Sequence, residues 1–365
     1  MALTIVSFVL VMGIIVFFHE LGHFLVAKRS GIVVEEFGFG YPPRLLKLGE
    51  RDGTVYTINA IPFGGFVRMR GEDDPTLAGS FASAPRGRRA ATLLAGAFMN
   101  LVLAVVLFAT YVTAAGVPDA SRTGTVIRGL APDSPAQQAG LQIGDRIIGA
   151  DGVELATLQS LQDHTKAHLG KPVVYEIVRG ESGRAPGKVL KVTMTPRTNP
   201  PANQGALGVQ IGPPVRTPRI LEALGFGVQQ TGQIIWMTFA IPAMLLREGR
   251  PIADMGFMGP VGIAATTGDV VRSALAVDSI TPVIFFVALL SVAVGVTNLL
   301  PIPGLDGGRL LFVIVEAIRR KRVEPAQEGM VHLVGLGLLL LLVSVLTVRE
   351  ISALVSGTFS SFGAP

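Results

Sequence analysis

Leu3-Thr-Ile-Val-Ser-Phe-Val-Leu-Val-Met-Gly-Ile-Ile-Val-Phe-Phe18 is an almost uninterrupted apolar run, and it leads directly into His19-Glu20-Leu21-Gly22-His23. A bilayer-crossing helix needs about 20 such residues, so the histidines sit toward the end of a membrane-length helix. On a helix, residues four apart differ by about 40° in azimuth and about 6 Å along the axis, so both imidazoles can reach one ion. Glu20, beside the first of them, is placed to act as general base on water at that ion. This is the pattern in which two histidines hold zinc. The same pattern also arises by chance in soluble helices. Depth argues against chance here, because an ionisable group inside a bilayer costs several kcal/mol unless it has a partner or a task.

Composition points the same way: 49% of the 365 residues are hydrophobic, 16% are charged, and mean hydropathy is +0.54. The absence of cysteine excludes thiolate metal sites, disulfides and thiol nucleophiles, leaving His, Asp and Glu as the strong metal ligands. A net charge of +5 could suggest nucleic acid, but the basic residues cluster beside apolar spans, which is a membrane signature. No nucleic-acid partner is expected.

Four segments can span a bilayer: Leu3 to Val26, Ala91 to Ala115, Ile280 to Leu300 and Val331 to Val348. Lys28, Arg29, Arg86, Arg88 and Arg89 crowd one connection, and Arg319, Arg320, Lys321 and Arg322 another. Both are expected to be cytoplasmic, which puts both termini and the long region between the second and third spans outside. The first span lacks a basic n-region and is not read as a cleaved signal peptide. Gln233 to Leu246 is apolar for only about fourteen residues and contains Pro242, so a helix at the outer membrane surface or on the soluble domain is expected there.

Two histidines that leave one position open for water need a third protein ligand. Asp306 is the candidate. It follows Asn298-Leu-Leu-Pro301-Ile-Pro303-Gly304-Leu305 and precedes Gly307-Gly308, a run that must break a helix at membrane depth. The alternative is that Asp306 caps the helix that follows, and spacing alone divides the two readings evenly.

His19-Glu20-Leu21-Gly22-His23, together with Leu305-Asp306-Gly307 after Asn298-Leu-Leu-Pro-Ile-Pro, resembles the site-2 protease family, in its bacterial RseP-like branch. Pro62-Phe63-Gly64-Gly65-Phe66-Val67-Arg68-Met69 and Gly259-Pro260-Val261-Gly262-Ile263 match in order. The resemblance implies one zinc ion held by His19, His23 and Asp306, Glu20 as catalytic base, and Asn298 near the substrate or its oxyanion. The family often has Ala-Gly-Pro in the second span, whereas this chain reads Ala95-Gly96-Ala97 before Asn100. Any kink there is in doubt, and Asn100 is expected to face the bundle interior.

Between Pro118 and about Pro214 the composition becomes that of a soluble α/β module. Ala131-Pro-Asp-Ser-Pro, Gly140-Leu-Gln-Ile-Gly144-Asp145 and Asp151-Gly152 resemble a PDZ domain in the permuted bacterial connectivity. Under that reading Gly205 to Val209 supply the carboxylate-loop strand and Leu155 to His168 the groove helix, with a peptide C-terminus as a partner the groove could take. His164 and His168 repeat the i, i+4 spacing, but no glutamate follows, and neither apolar burial nor a helix-breaking carboxylate motif accompanies them. They are read as part of an exposed helix, and His332 as interfacial.

Val33 to Met69 is expected to be β-rich, with Arg51-Asp52-Gly53 as a turn. By resemblance this sheet dips toward the metal, and its edge could hold a substrate strand, for which Ile58 and Ala60 are the positions to test with proline.

The expected fold is a polytopic α-helical membrane protein of four spans with a cytoplasm-side or re-entrant β-hairpin region and one inserted extracytoplasmic PDZ domain. Its divisions are an N-terminal membrane core 1–117, the PDZ domain 118–215, an interfacial helix and Gly-Pro-Val-Gly-Ile loop 216–279, and a C-terminal membrane core 280–365. The expected activity is intramembrane zinc metalloproteolysis of single-span membrane proteins, such as anti-sigma factors or signal-peptide remnants, in a bacterial inner membrane. By resemblance, an outside cut precedes it. The alternatives are an idle PDZ-bearing scaffold, against which Glu20 argues, and an ion transporter, against which the lack of an inverted repeat argues.

Overall fold

The computed structural model describes residues 1–72, 74–180, 187–249 and 258–359. Residues 181–186 of the expected PDZ domain and 250–257 of the expected interfacial segment lie outside the described residues. Elements are numbered in chain order. The chain divides into two compact units, one formed by Met1–Tyr111 with Ile220–Pro365 and the other by Val112–Arg219.

Among its described residues the first unit has four helices long and apolar enough to cross a membrane. They are α1 (Ala2–Arg29), α2 (Arg86–Ala115), α7 (Thr281–Leu299) and α9 (Pro325–Val355), overlapping the four expected spans. Small residues let α1 and α2 meet backbone to backbone: a Cβ on Gly22 would lie 2.2 Å from the Ala95 carbonyl oxygen. α2 runs unbroken through Ala97, so the missing proline leaves a continuous helix.

Between α1 and α2, β1 (Val34–Arg51) and β2 (Thr54–Met69) form more than a hairpin. Asp52 and Gly53 both take positive φ, as a two-residue hairpin turn of this hand requires. β1 and β2 then bend, so that residues 36–39 pair on one side with 55–58 and on the other with 65–68. Ile58 is flanked by both Phe39 and Leu46, which makes it an interior position. The outer edge is 65–69. This corrects the choice of Ile58 as an edge probe, because a proline there would break two ladders at once. Buried Glu36 ties the layers together, accepting from the Thr57 hydroxyl and pairing with Arg44 at 2.8 Å and Arg68 at 2.6 Å. Burial raises its pKa, but these three partners outweigh it and hold the carboxyl below its usual range.

Two further helices precede α7. α5 (Ile220–Arg247) takes in both the polar stretch and the short apolar one, with Pro242 inside it. It packs on α2, where a Cβ on Gly227 would meet the Val105 carbonyl oxygen, and Phe226 and Ile234 join a core of Ala104, Phe108, Ala288 and Val292. The expected Gly-Pro-Val-Gly-Ile loop is instead the cap and first turn of α6 (Pro260–Ala276). Pro260 suits the first helical position. The cap comes from another helix: buried Glu350 of α9 accepts the N–H of Gly259 at 2.5 Å and of Gly262 at 2.9 Å, which sequence spacing does not reveal.

α7 ends at Leu299, and α8 (Asp306–Arg319) begins after a break at Leu300–Leu305. The break is tied down by a hydrogen bond from the Gly304 N–H to Nδ1 of His332, so that histidine serves the loop. α8 is pinned to α2 by the buried pair Arg89–Glu316 at 2.8 Å.

The second unit carries β3 (Val117–Pro118), β4 (Thr125–Leu130), α3 (Pro135–Gln138), β5 (Arg146–Ala150), β6 (Val153–Glu154), α4 (Leu158–Ala167), β7 (Val173–Arg179), β8 (Lys188–Met194), β9 (Val209–Gly212) and β10 (Val215–Arg216). Its main sheet has the order β8-β7-β5-β4-β9, with β6 added to β5. Ile127, Ile147, Leu161, Tyr175 and Ile177 form its core. α4 and residues 205–211 line a groove of about 360 Å³. The segment Gly205 to Val209, expected as a strand, is a loop until β9 begins at Val209, and Gly208 in that loop has positive φ.

Candidate active site

α1 carries His19 and His23 on its buried face, 7% and 6% exposed, and α8 delivers Asp306 to them from 287 residues away. Oδ2 of Asp306 lies 3.0 Å from Nε2 of His19 and 3.2 Å from Nε2 of His23, and the two Nε2 atoms are 3.1 Å apart. The capping alternative for Asp306 is not realised: Leu305 occupies the cap position, and no side chain caps the helix.

The arrangement fits zinc. Ligand atoms about 2.0–2.1 Å from a tetrahedral ion stand about 3.3 Å apart, close to the observed triangle of two imidazole nitrogens and one carboxylate oxygen. Gly96 keeps this space clear, since a Cβ there would lie 2.4 Å from Nε2 of His23 and 2.7 Å from Nε2 of His19.

Outer partners set the tautomers. Nδ1 of His23 donates to the Thr92 carbonyl at 2.7 Å, which turns the lone pair of Nε2 toward the other donors. Nδ1 of His19 faces Nδ2 of the buried Asn100 amide at 3.3 Å, and Oδ1 of that amide has no hydrogen-bond partner. A half-turn of the amide presents Oδ1 to an Nδ1–H, leaving the lone pair of His19 on Nε2, the atom that faces Asp306 and His23. The Asn100 carbonyl accepts from Ser291 of α7, which fixes this stretch of α2.

Glu20 lies on the wall of a cavity of about 310 Å³, and His19, His23, Asn298 and Asp306 line the same cavity. Its Oε2 accepts the Val67 N–H at 3.1 Å, so the outer edge of the sheet reaches the acid on α1. Tyr41 and Phe66, stacked on each other, also line it. Burial, and then the Glu20 charge, push the Tyr41 phenol above its usual pKa, so it keeps its proton. Asn298 donates to the Val294 carbonyl at 3.1 Å. At the rim Arg309 pairs with Glu72 at 2.7 Å, tying α8 to the chain after β2.

Sequence reasoning passed over the Thr92 carbonyl, the Val67 N–H and the role of Gly96. The first two are backbone groups, which every residue carries, so side-chain identity gives no signal for them. Gly96 and Asn100, four apart on one face of an apolar helix, were the available clue.

The same residues can be set beside known proteins. The chain matches Peptidase family M50 over residues 7–342. It is 33% identical to the zinc metalloprotease RasP of Geobacillus kaustophilus, over 95% of this chain and 97% of that one. To the zinc metalloprotease RasP of Oceanobacillus iheyensis it is 29% identical, over 96% and 99%. Among solved structures it is 18% identical to the PDZ domain of an SdrC-like protein from Listeria monocytogenes, over 26% of this chain and 92% of that one, with a TM-score of 0.21. A score that low establishes no common fold. The family match and the RasP likeness both run nearly end to end, and the protein belongs to peptidase family M50, the site-2 protease family of zinc metalloproteases.

Proposed function

We propose that this protein is an intramembrane zinc metalloendopeptidase that hydrolyses peptide bonds in the transmembrane segments of single-span membrane proteins. The observation that carries the reading is the convergence of His19, His23 and Asp306 within 3.2 Å beside Glu20, in a cavity between helices of membrane-spanning length. Zinc held by those three residues supplies Lewis acidity to the scissile carbonyl and to water. Glu20 takes a proton from the attacking water and returns it to the leaving amine. Its Oε2 is held by Val67, which leaves the other carboxylate oxygen to move the proton. Asn298 can spare its second amide hydrogen for the developing oxyanion.

A transmembrane helix hides its peptide bonds in internal hydrogen bonds, so the substrate must unwind before it can be cut. The 65–69 edge lies along the cavity wall and can pair with the unwound strand, offsetting the lost bonds. Val67→Pro removes the N–H that Glu20 accepts and blocks that edge. It should lower cleavage of a membrane substrate by roughly 10–100-fold, the worth of a hydrogen bond to a charged group, with the fold retained. Cleavage unchanged by this substitution would remove the sheet from the reaction.

Residues 118–215 are assigned as an extracytoplasmic PDZ domain, supported by the sheet, by α4 and by the groove between α4 and residues 205–211, where a peptide C-terminus can dock. Both termini then lie outside a bacterial inner membrane, and the natural substrates are anchored regulators or signal-peptide remnants already shortened on the outside. The deciding experiment compares the wild type with Glu20→Gln on a labelled single-span substrate while bound zinc is measured. Cleavage should fall by about 10²–10⁴-fold with zinc retained. Equal cleavage by the two proteins would refute the assigned base.

A further inference from the structure

We propose that Asp151, His164 and His168 form a second divalent transition-metal site, in the inserted unit and independent of the protease centre. The histidine spacing alone did not support this, because no glutamate follows His164 and no helix-breaking carboxylate motif accompanies the pair. The fold supplies one. The β5–β6 turn brings Asp151 to α4, and one ligand atom from each of the three residues lies within 4.8 Å of the others.

Three features make this more than a chance cluster. Asp151 is rigidly held: it has φ +49, its backbone N–H donates to the Val174 carbonyl at 2.9 Å, and its Oδ1 accepts the Val174 N–H at 2.9 Å. That leaves Oδ2 directed at His164. Nε2 of His164 is buried with no hydrogen-bond partner, and Oδ2 of Asp151, at 3.7 Å, is too distant for a hydrogen bond. A separation of 3.7 Å is within a few tenths of an ångström of the roughly 3.3–3.5 Å between two ligands of one tetrahedral ion. His168 stacks on His164 with ring centroids 4.3 Å apart, and its Nδ1 donates to the His164 carbonyl at 2.8 Å, which leaves the lone pair on Nε2. This is the outer-partner device that Thr92 provides for His23.

Two imidazoles and one carboxylate select zinc, nickel, cobalt or copper over magnesium or calcium. Asp151 is 39% exposed, so water can enter and complete the coordination. A metal there ties α4 to the β5–β6 turn, while Leu161, Thr165 and Lys166 of the same helix line the groove of about 360 Å³. No glutamate follows His164, so the site has no base and is structural in kind.

The test uses the full chain in detergent, stripped with chelator, re-equilibrated with zinc alone and separated from free metal before elemental analysis. Two zinc ions per chain are expected. His168→Gln and Asp151→Asn should each lower the count to one and leave cleavage intact, and His23→Ala combined with His168→Gln should lower it to none. Cobalt titration of the wild type should raise visible absorption in two steps, the second missing in His168→Gln. That titration needs no variant to show two sites, so misfolding of a variant cannot hide the answer. One zinc per wild-type chain, or a count that neither Asp151→Asn nor His168→Gln changes, overturns the proposal. Loss of cleavage in Glu20→Gln bears only on the protease reading and leaves this one untouched.

Discussion

The chain carries two histidine pairs of identical spacing, His19/His23 in α1 and His164/His168 in α4, and the fold gives each pair one carboxylate. In the membrane unit the three donor atoms lie 3.0–3.2 Å apart, on two histidines that are almost fully buried and a carboxylate that is 20% exposed. In the inserted unit they lie within 4.8 Å, and the carboxylate is exposed. Spacing along a helix therefore aligns two ligands but does not decide what they do. Under the two proposals, the third ligand, the outer partners and the presence of a base decide it. Glu20 stands next to His19 and opens onto a cavity, whereas the position after His164 is Thr165, hydrogen-bonded to Tyr175 in the domain core.

The largest effect that would sharpen this contrast comes from Gly96→Ala. The added Cβ falls where the donors of the first site converge, so zinc content should drop by one ion and cleavage should vanish, while zinc bound through Asp151 and His168 remains. Retention of the first zinc in elemental analysis would show that α2 can retreat and that close packing is not essential.

The next compares the buried acid–arginine pairs of the two units. Glu316 and Arg89 are both almost wholly buried, whereas Asp145 is buried but its partner Arg179 is 29% exposed. Glu316→Gln strands a buried cation and should cost about 3–5 kcal/mol. Asp145→Asn leaves an arginine that water can reach and should cost about 1.5–3 kcal/mol, the worth of its charged hydrogen bonds. Thermal unfolding of the full chain in detergent measures both. The reverse order would mean that the Arg89–Glu316 pair is well hydrated.

The smallest concerns the tautomer of His19. Asn100→Leu should weaken zinc binding at the first site by about 10–100-fold, Asn100→Asp should restore most of it, and the second site should not change. Equal zinc affinity in competition with a chelator for Asn100→Leu and wild type would remove Asn100 from the site.

Much of the architecture was legible in the residues because it depends on local rules. Apolar runs of about twenty residues have few homes outside a bilayer, so the four long helices follow from hydropathy. Asp52-Gly53 is a turn because both positions accept positive φ. The α6 helix was read as a loop because its cap, Glu350, lies 91 residues from Gly259, and an N-terminus with no local cap looks like a loop in sequence. The strand register was also hidden. β1 pairs on both its sides after a series of shifts, and that pairing makes residues 65–69, rather than Ile58, the edge facing Glu20.

By itself the sequence determined that this chain enters a membrane, that two imidazoles and a carboxylate share one helix face there, and that a second carboxylate follows a helix break. These follow from periodicity, hydropathy and the stiffness of proline, which act over a few residues. Only the tertiary structure decided that Asp306 turns to the histidines instead of capping its own helix, that the Thr92 carbonyl and Val67 N–H serve the site, and that Asp151 reaches His164. Those contacts join backbone groups and residues far apart in the chain, and which of them form is set by the packing of whole helices and sheets.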